Sequence, residues 1–237
     1  MKVLALSSSR VGNSGMLENA LRIIDQFVSM PTANVAFIPF ASVHRSYEEY
    51  GDLVKEALRS LSYNINTVTP ANTRSTIEAA DVLMVGGGNT FKLLHDIYDL
   101  DLFDLIQTKV KNGTPYIGWS AGANLCGLSI STTNDMPIIQ PRSFKAFGFL
   151  PLQINPHYIN QTLEGHNGET RDQRLEEFLM LNPGVPVVGI PEGTALLLND
   201  GKLQFIGDKE GIYFGANSSL TRSKSIIKPG ESLPYLL

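Results

Sequence analysis

Short unbroken apolar runs alternate along this chain with stretches whose apolar residues recur every three or four positions, which predicts strands separated by helices. Val3–Leu6 reads as a buried strand, and Leu17, Ala20, Leu21, Ile24 and Val28 give one apolar face to a helix over 16–30. A strand over 34–40, a helix over 46–61, a strand over 65–68 and a short helix around Ile77 follow. Residues 81–85 carry Val-Leu-Met-Val, the unbroken apolar core of a strand covered on both faces. Helices over 90–98 and 102–110 then lead to a fifth strand that ends at Ser120. Beyond it the pattern loosens: a loop over 132–141, a strand over 150–155, a helix over 170–181 and a buried strand over 185–190. Residues 196–199 and 202–206, joined through Asp200-Gly201, form a hairpin by the Asp-Gly rule. Strands spaced by helices of this length require parallel crossovers. The expected fold is therefore a doubly wound, mostly parallel α/β sheet with a small C-terminal β-hairpin region and its site at the carboxyl ends of the strands.

Composition narrows the function. A chain of 237 residues, 43% of them hydrophobic, fills one large core, so a single domain over 1–237 is expected. A net charge of −4 with no basic run argues against a nucleic-acid partner. No apolar run reaches a membrane span, and the first residues are too short a run for a signal peptide. The lone cysteine, Cys126, excludes an internal disulfide framework, suits a cytoplasmic location and reads as a buried structural thiol. No metal or cofactor is expected, and oligomeric state is left open.

The chemistry centres on Gly118-Trp119-Ser120-Ala121-Gly122, a G-x-S-x-G turn between strand and helix. Ser120 stands at its apex as nucleophile, with the Ala121 N–H as an oxyanion donor. Gly86-Gly87-Gly88-Asn89-Thr90-Phe91 also joins strand to helix. It lacks the sixth-place glycine of a dinucleotide fingerprint and the Gly-Lys-Ser/Thr of a P-loop. A close backbone approach to substrate, with the Gly88 N–H as second oxyanion donor, suits it better. Of the four histidines, His95 reads as structural and His44 as a loop residue, while His157 follows a strand end and is the expected base. His166 is second choice. Glu192 ends a buried strand where it would orient the base, Asp135 is placed either to orient the base or to bind a substrate amine, and sequence alone does not rank them. Arg171 and Arg174 open a helix, where the dipole disfavours cations unless an anionic ligand is present.

Taken together, Gly-Gly-Gly-Asn-Thr-Phe (86–91), Gly-Trp-Ser-Ala-Gly-Ala-Asn-Leu (118–125), Thr-Thr-Asn-Asp-Met-Pro-Ile (132–138), Pro-Leu-Gln-Ile-Asn-Pro-His (151–157), Glu-Gly-His (164–166), Gly-Glu-Thr-Arg (168–171) and Pro-Glu-Gly (191–193) resemble, in order, the blocks of the peptidase E family of aspartyl dipeptidases. The resemblance implies a serine hydrolase with a fold akin to class I glutamine amidotransferases, acting on dipeptides with an N-terminal aspartate. It further implies Ser120 as nucleophile, His157 as base, Asp135 and Glu192 as acids of the site, and Arg171 with Asn89 as substrate contacts, Arg171 for the aspartate side chain. After Gly193 the chain reads as departing from the family pattern. A cyanophycinase-like aspartyl-bond hydrolase and a silent binding protein on the same fold are the alternatives. An α/β-hydrolase esterase would carry a later histidine, and a glutamine amidotransferase a cysteine at position 120.

Overall fold

The computed structural model describes residues 1–161, 165, 167–216 and 222–236. Its main sheet has seven strands, in the order β3 (Tyr63–Thr67), β2 (Ala33–Ile38), β4 (Val82–Val85), β5 (Tyr116–Trp119), β1 (Val3–Leu6), β8 (Ala195–Asn199) and β9 (Lys202–Ile206). The first five pair in parallel, and the β8–β9 hairpin adds antiparallel to β1. Asp200 and Gly201 take φ of 48° and 72°, as a tight hairpin turn of matching twist requires.

Each inner strand is buried on both faces because successive side chains point to opposite helical layers. Leu4, Leu6, Val35, Phe37, Val82 and Met84 pack with α1 (Leu21–Val28) and α2 (Tyr47–Ala57). Val3, Ala5, Ala36, Ile38, Leu83 and Val85 pack instead with α3 (Thr73–Glu78), α4 (Thr90–Asp99) and α5 (Phe103–Lys111). A full capping box, Ser46 with Glu49, sets the start of α2. The helix expected over 16–30 begins late. Leu17 is buried in a left-handed conformation at φ 56°, a 3₁₀ turn covers Glu18–Ala20, and only then does α1 start.

A second sheet, not foreseen in the sequence, follows the order β11 (Arg222–Ile227), β10 (Gly211–Ala216), β7 (Val187–Ile190), β6 (Gln153–Pro156). β6 and β7 are parallel, whereas β10 joins β7 and β11 antiparallel. The strand expected over 150–155 thus lies at 153–156, and β10 and β11 are strands that the apolar pattern did not indicate. The helix expected over 170–181 is α7 (Arg171–Leu181), which seats Leu175 and Leu179 on Val187, Ile212 and Phe214 of this sheet. Among the described residues, no helix is long and apolar enough to cross a membrane.

Candidate active site

The residues after β1, β4, β5, β6 and β7 form one rim of strand ends. β5 runs into the four-residue helix α6 (Ala121–Asn124) through Ser120, whose φ of 53° and ψ of −111° are strained for a residue with a Cβ, at a cost of about 1–3 kcal/mol. The turn closes only because two flanking residues are glycine. A Cβ on Gly118 would lie 2.3 Å from the Gly122 carbonyl oxygen, and one on Gly122 would lie 2.2 Å from that of Val85. No side chain of this turn is spent on capping α6, so the Ser120 hydroxyl is left for chemistry.

Across the rim, His157 follows β6 and presents Nε2 at 3.0 Å from Ser120 Oγ. Its Nδ1 lies 2.8 Å from Oε1 of Glu192, which follows β7. A serine hydroxyl, an imidazole and a carboxylate therefore stand in line, the arrangement in which the imidazole takes the hydroxyl proton while the acid holds its tautomer. The His157 and Glu192 side chains are 40% and 45% exposed, so the relay opens to solvent.

Asp135 is elsewhere. Its Oδ2 accepts the Thr90 N–H at 2.7 Å, the Thr90 hydroxyl at 2.5 Å and the Thr133 hydroxyl at 3.3 Å, which sets its charge against the positive end of α4. Of the two acids left open in the sequence, geometry brings Glu192 and not Asp135 to the imidazole, because the start of α4 claims Asp135. Asn89 is also engaged within the protein: Oδ1 accepts the Lys92 N–H at 3.0 Å and Nδ2 donates to the Met136 carbonyl at 2.9 Å. Both residues nevertheless line a cavity of about 660 Å³ together with Arg10, Arg45, Gly87 and Gly88.

Gly88 sits at φ 139°, where a Cβ would lie 2.2 Å from the Ala41 carbonyl oxygen. Among the described residues, neither its N–H nor that of Ala121 meets a protein acceptor. The two turns that carry them, at Gly87 and at Trp119, are tied together by Tyr50, which lies in the helix expected over 46–61. The Tyr50 hydroxyl accepts from Trp119 Nε1 at 2.9 Å and from the Gly87 N–H at 3.1 Å, and donates to the Gly87 carbonyl at 3.2 Å. Burial pushes the Tyr50 pKa up, so the phenol keeps its proton. Its apolar spacing on α2 was visible in the sequence; no local signal marks the hydroxyl's partners. Tyr50→Phe is expected to strand two buried donors, costing about 2 kcal/mol in a denaturant titration. It should also lower kcat about tenfold as the loop beside Ser120 loosens. A variant with wild-type kcat would show that the loop needs no such tether.

Arg171 is half-buried at the first position of α7 and donates to Asn155 Oδ1 at 3.4 Å, two residues before His157. The carboxylate next to it in sequence, Asp172, is taken by the Tyr158 hydroxyl and Lys224, and Arg174 pairs with Glu169. Arg171 is thus a cation without a carboxylate partner among the described residues. Burial, then the charge of Arg174, lowers its pKa from the ordinary value. His44 lines the cavity by Gly88, and His95 lies near the Gln140 carbonyl at 3.2 Å. Cys126 is buried, which pushes its thiol pKa up and suits a structural residue. His166 lies outside the described residues. Among those described, no group of three or more His, Cys, Asp or Glu is arranged to hold a metal.

The sequence model of peptidase family S51 matches residues 3–206, which includes the β8–β9 hairpin, so the likeness does not stop at Gly193. Proteins named Peptidase E from Shewanella amazonensis and Nostoc sp. are 48% and 42% identical to this chain. Both alignments span all of it, and cover 99% and 96% of those proteins. The Haemophilus influenzae Peptidase E is 48% identical over 90% of this chain and 97% of its own. Two solved structures share the fold. One, from Listeria monocytogenes EGD-e, superposes with TM-score 0.69 at 21% identity, covering 87% of this chain and 98% of that one. The other, a peptidase from an acI-B1 Actinobacterium, gives 0.67 at 17%, covering 98% and 95%. With a family match across most of its length and relatives this similar from end to end, the chain belongs to peptidase family S51.

Proposed function

We propose that this peptidase is a cytoplasmic, single-domain serine dipeptidase that hydrolyses dipeptides with an N-terminal aspartate. The observation that carries the reading is the line of Ser120 Oγ, His157 and Glu192 at 3.0 and 2.8 Å. His157 takes the Ser120 proton as Oγ attacks the scissile carbonyl, and Glu192 steadies the imidazolium. The N–H groups of Gly88 and Ala121 receive the oxyanion; with only one turn of helix behind Ala121, local N–H bonds rather than a helix dipole do this. His157 then returns the proton to the leaving amine. Water, deprotonated by the same imidazole, resolves the acyl-enzyme, and Ser120 regains its proton.

Aspartate preference follows from Arg171, a half-buried cation whose neighbouring carboxylate is already occupied. A guanidinium binds a carboxylate through two charge-assisted bonds, worth about 3 kcal/mol together, or about a hundredfold. Arg171→Ala should accordingly lose about a hundredfold in kcat/KM on Asp-Leu and little on Leu-Leu. An undiminished preference for Asp over Leu in that variant would mean another group reads the acid. The reading as a whole is tested by assaying Asp-Leu, Asn-Leu, Glu-Leu and Leu-Leu with purified protein. Turnover of Asp-Leu is expected to exceed that of each of the other three by about a hundredfold or more. Cleavage of an aspartyl polymer in preference to Asp-Leu, or of none of the four, would overturn it.

A further inference from the structure

The groups of the relay come from strand ends in two different sheets, and a buried residue at the end of β1 in the first sheet reaches the second through its hydroxyl. Ser7, the residue after β1, is fully buried. On the main-sheet side, the carbonyl of its neighbour Leu6 accepts the Ser120 N–H at 3.1 Å. On the second-sheet side, Ser7 Oγ accepts the His157 N–H at 2.9 Å and donates to the Ile190 carbonyl at 2.8 Å. The Ser7 N–H donates to the Thr194 carbonyl at 2.9 Å. Residues 190 and 194 flank Glu192 by two positions on either side. The Leu6-Ser7 peptide and hydroxyl therefore hold the backbone at or beside all three members of the relay.

We propose that Ser7 is a positioning residue for catalysis, its hydroxyl setting His157 and the Glu192 segment against Ser120. This rests on the Ser120–His157–Glu192 reading above. His157 takes φ 51°, a region that residues with a Cβ enter only where surrounding structure holds them, and the hydrogen bond from its N–H to Ser7 Oγ is such a hold. A hydroxyl suits the place because it accepts and donates at once, and both capacities are in use. The Ile190 carbonyl keeps a second donor, the Tyr158 N–H at 3.1 Å, whereas the His157 N–H has no other acceptor among the described residues. Loss of the hydroxyl therefore falls chiefly on the base.

The test compares wild type, Ser7→Ala and Ser7→Cys, the last keeping a weaker donor and acceptor of similar shape. It measures kcat and KM on Asp-Leu, the rate of inactivation by a fluorophosphonate, and Tm. Ser7→Ala is expected to lower kcat and the inactivation rate by about tenfold or more, with KM within about twofold, because a misplaced base slows attack without touching the substrate contacts. Ser7→Cys should recover part of the loss. Wild-type kcat in Ser7→Ala, or a fall in kcat/KM carried by KM, would overturn the proposal. If Ser7→Ala does not fold, Ser7→Cys decides by the same two criteria. Should wild type cleave no Asp-Leu, the dipeptidase reading fails, but fluorophosphonate inactivation needs no dipeptide and still decides the role of Ser7.

Discussion

Ser120→Ala is expected to retain no more than about a ten-thousandth of wild-type kcat on an Asp-X dipeptide while keeping its fold. The size of the loss follows from the chemistry. Without Oγ there is no acyl-enzyme and His157 has no proton to take, so only binding and oxyanion stabilisation remain to assist direct attack by water. Retention of the fold follows from the structure. The Ser120 side chain caps nothing, its N–H bond to the Leu6 carbonyl belongs to the backbone, and alanine occupies the same strained backbone at similar cost. Circular dichroism and Tm check the fold; steady-state hydrolysis of Asp-Leu checks the rate. A variant with undiminished kcat would remove Ser120 from the mechanism and with it the meaning of the elbow.

Glu192→Gln is expected to lower kcat about a thousandfold, while Asp135→Asn lowers it less than about tenfold. A glutamine amide at 192 either presents its own N–H to His157 Nδ1, which inverts the tautomer, or accepts the bond without a charge to stabilise the imidazolium. Asp135 meets no part of that relay. Its carboxylate serves the first turn of α4 and the Thr133 hydroxyl, so its amide keeps an acceptor oxygen and forfeits about 0.3–1 kcal/mol of charge–dipole attraction. The two variants assayed together distinguish the roles: equal losses would show that Asp135 acts on the reaction through the Gly88 loop as strongly as Glu192 acts through the base.

How legible the molecule was depended on the range of the interaction involved. β1, β4, β5, α4, α5 and α7 were readable because each carries its own hydrophobic rhythm or cap. The β8–β9 hairpin was readable because Asp200-Gly201 fixes a turn within four residues. β10 and β11 were not, since Gly-Ile-Tyr-Phe-Gly-Ala and Arg-Ser-Lys-Ser-Ile-Ile carry no strong period and are strands by virtue of partners on β7 and on each other. The late start of α1 was equally hidden, because the left-handed Leu17 is held by a bond from its N–H to the Ser9 carbonyl in the loop after β1, which no periodicity records.

The site divides along the same line. Local chemistry singled out Ser120 at a glycine-flanked turn and His157 past a proline at a strand end, whereas it marked Arg171 and Arg174 alike at a helix start where cations are out of place, and only the family resemblance chose Arg171. Which acid meets the imidazole was decided only in three dimensions, since Asp135 and Glu192 are equally plausible in the string and differ in what their carboxylates find on folding. Tyr50 and Ser7 were invisible for the same reason: a hydroxyl announces its capacity to bond, but the donors and acceptors that fill it lie up to 183 residues away and are brought to it by the packing of two sheets.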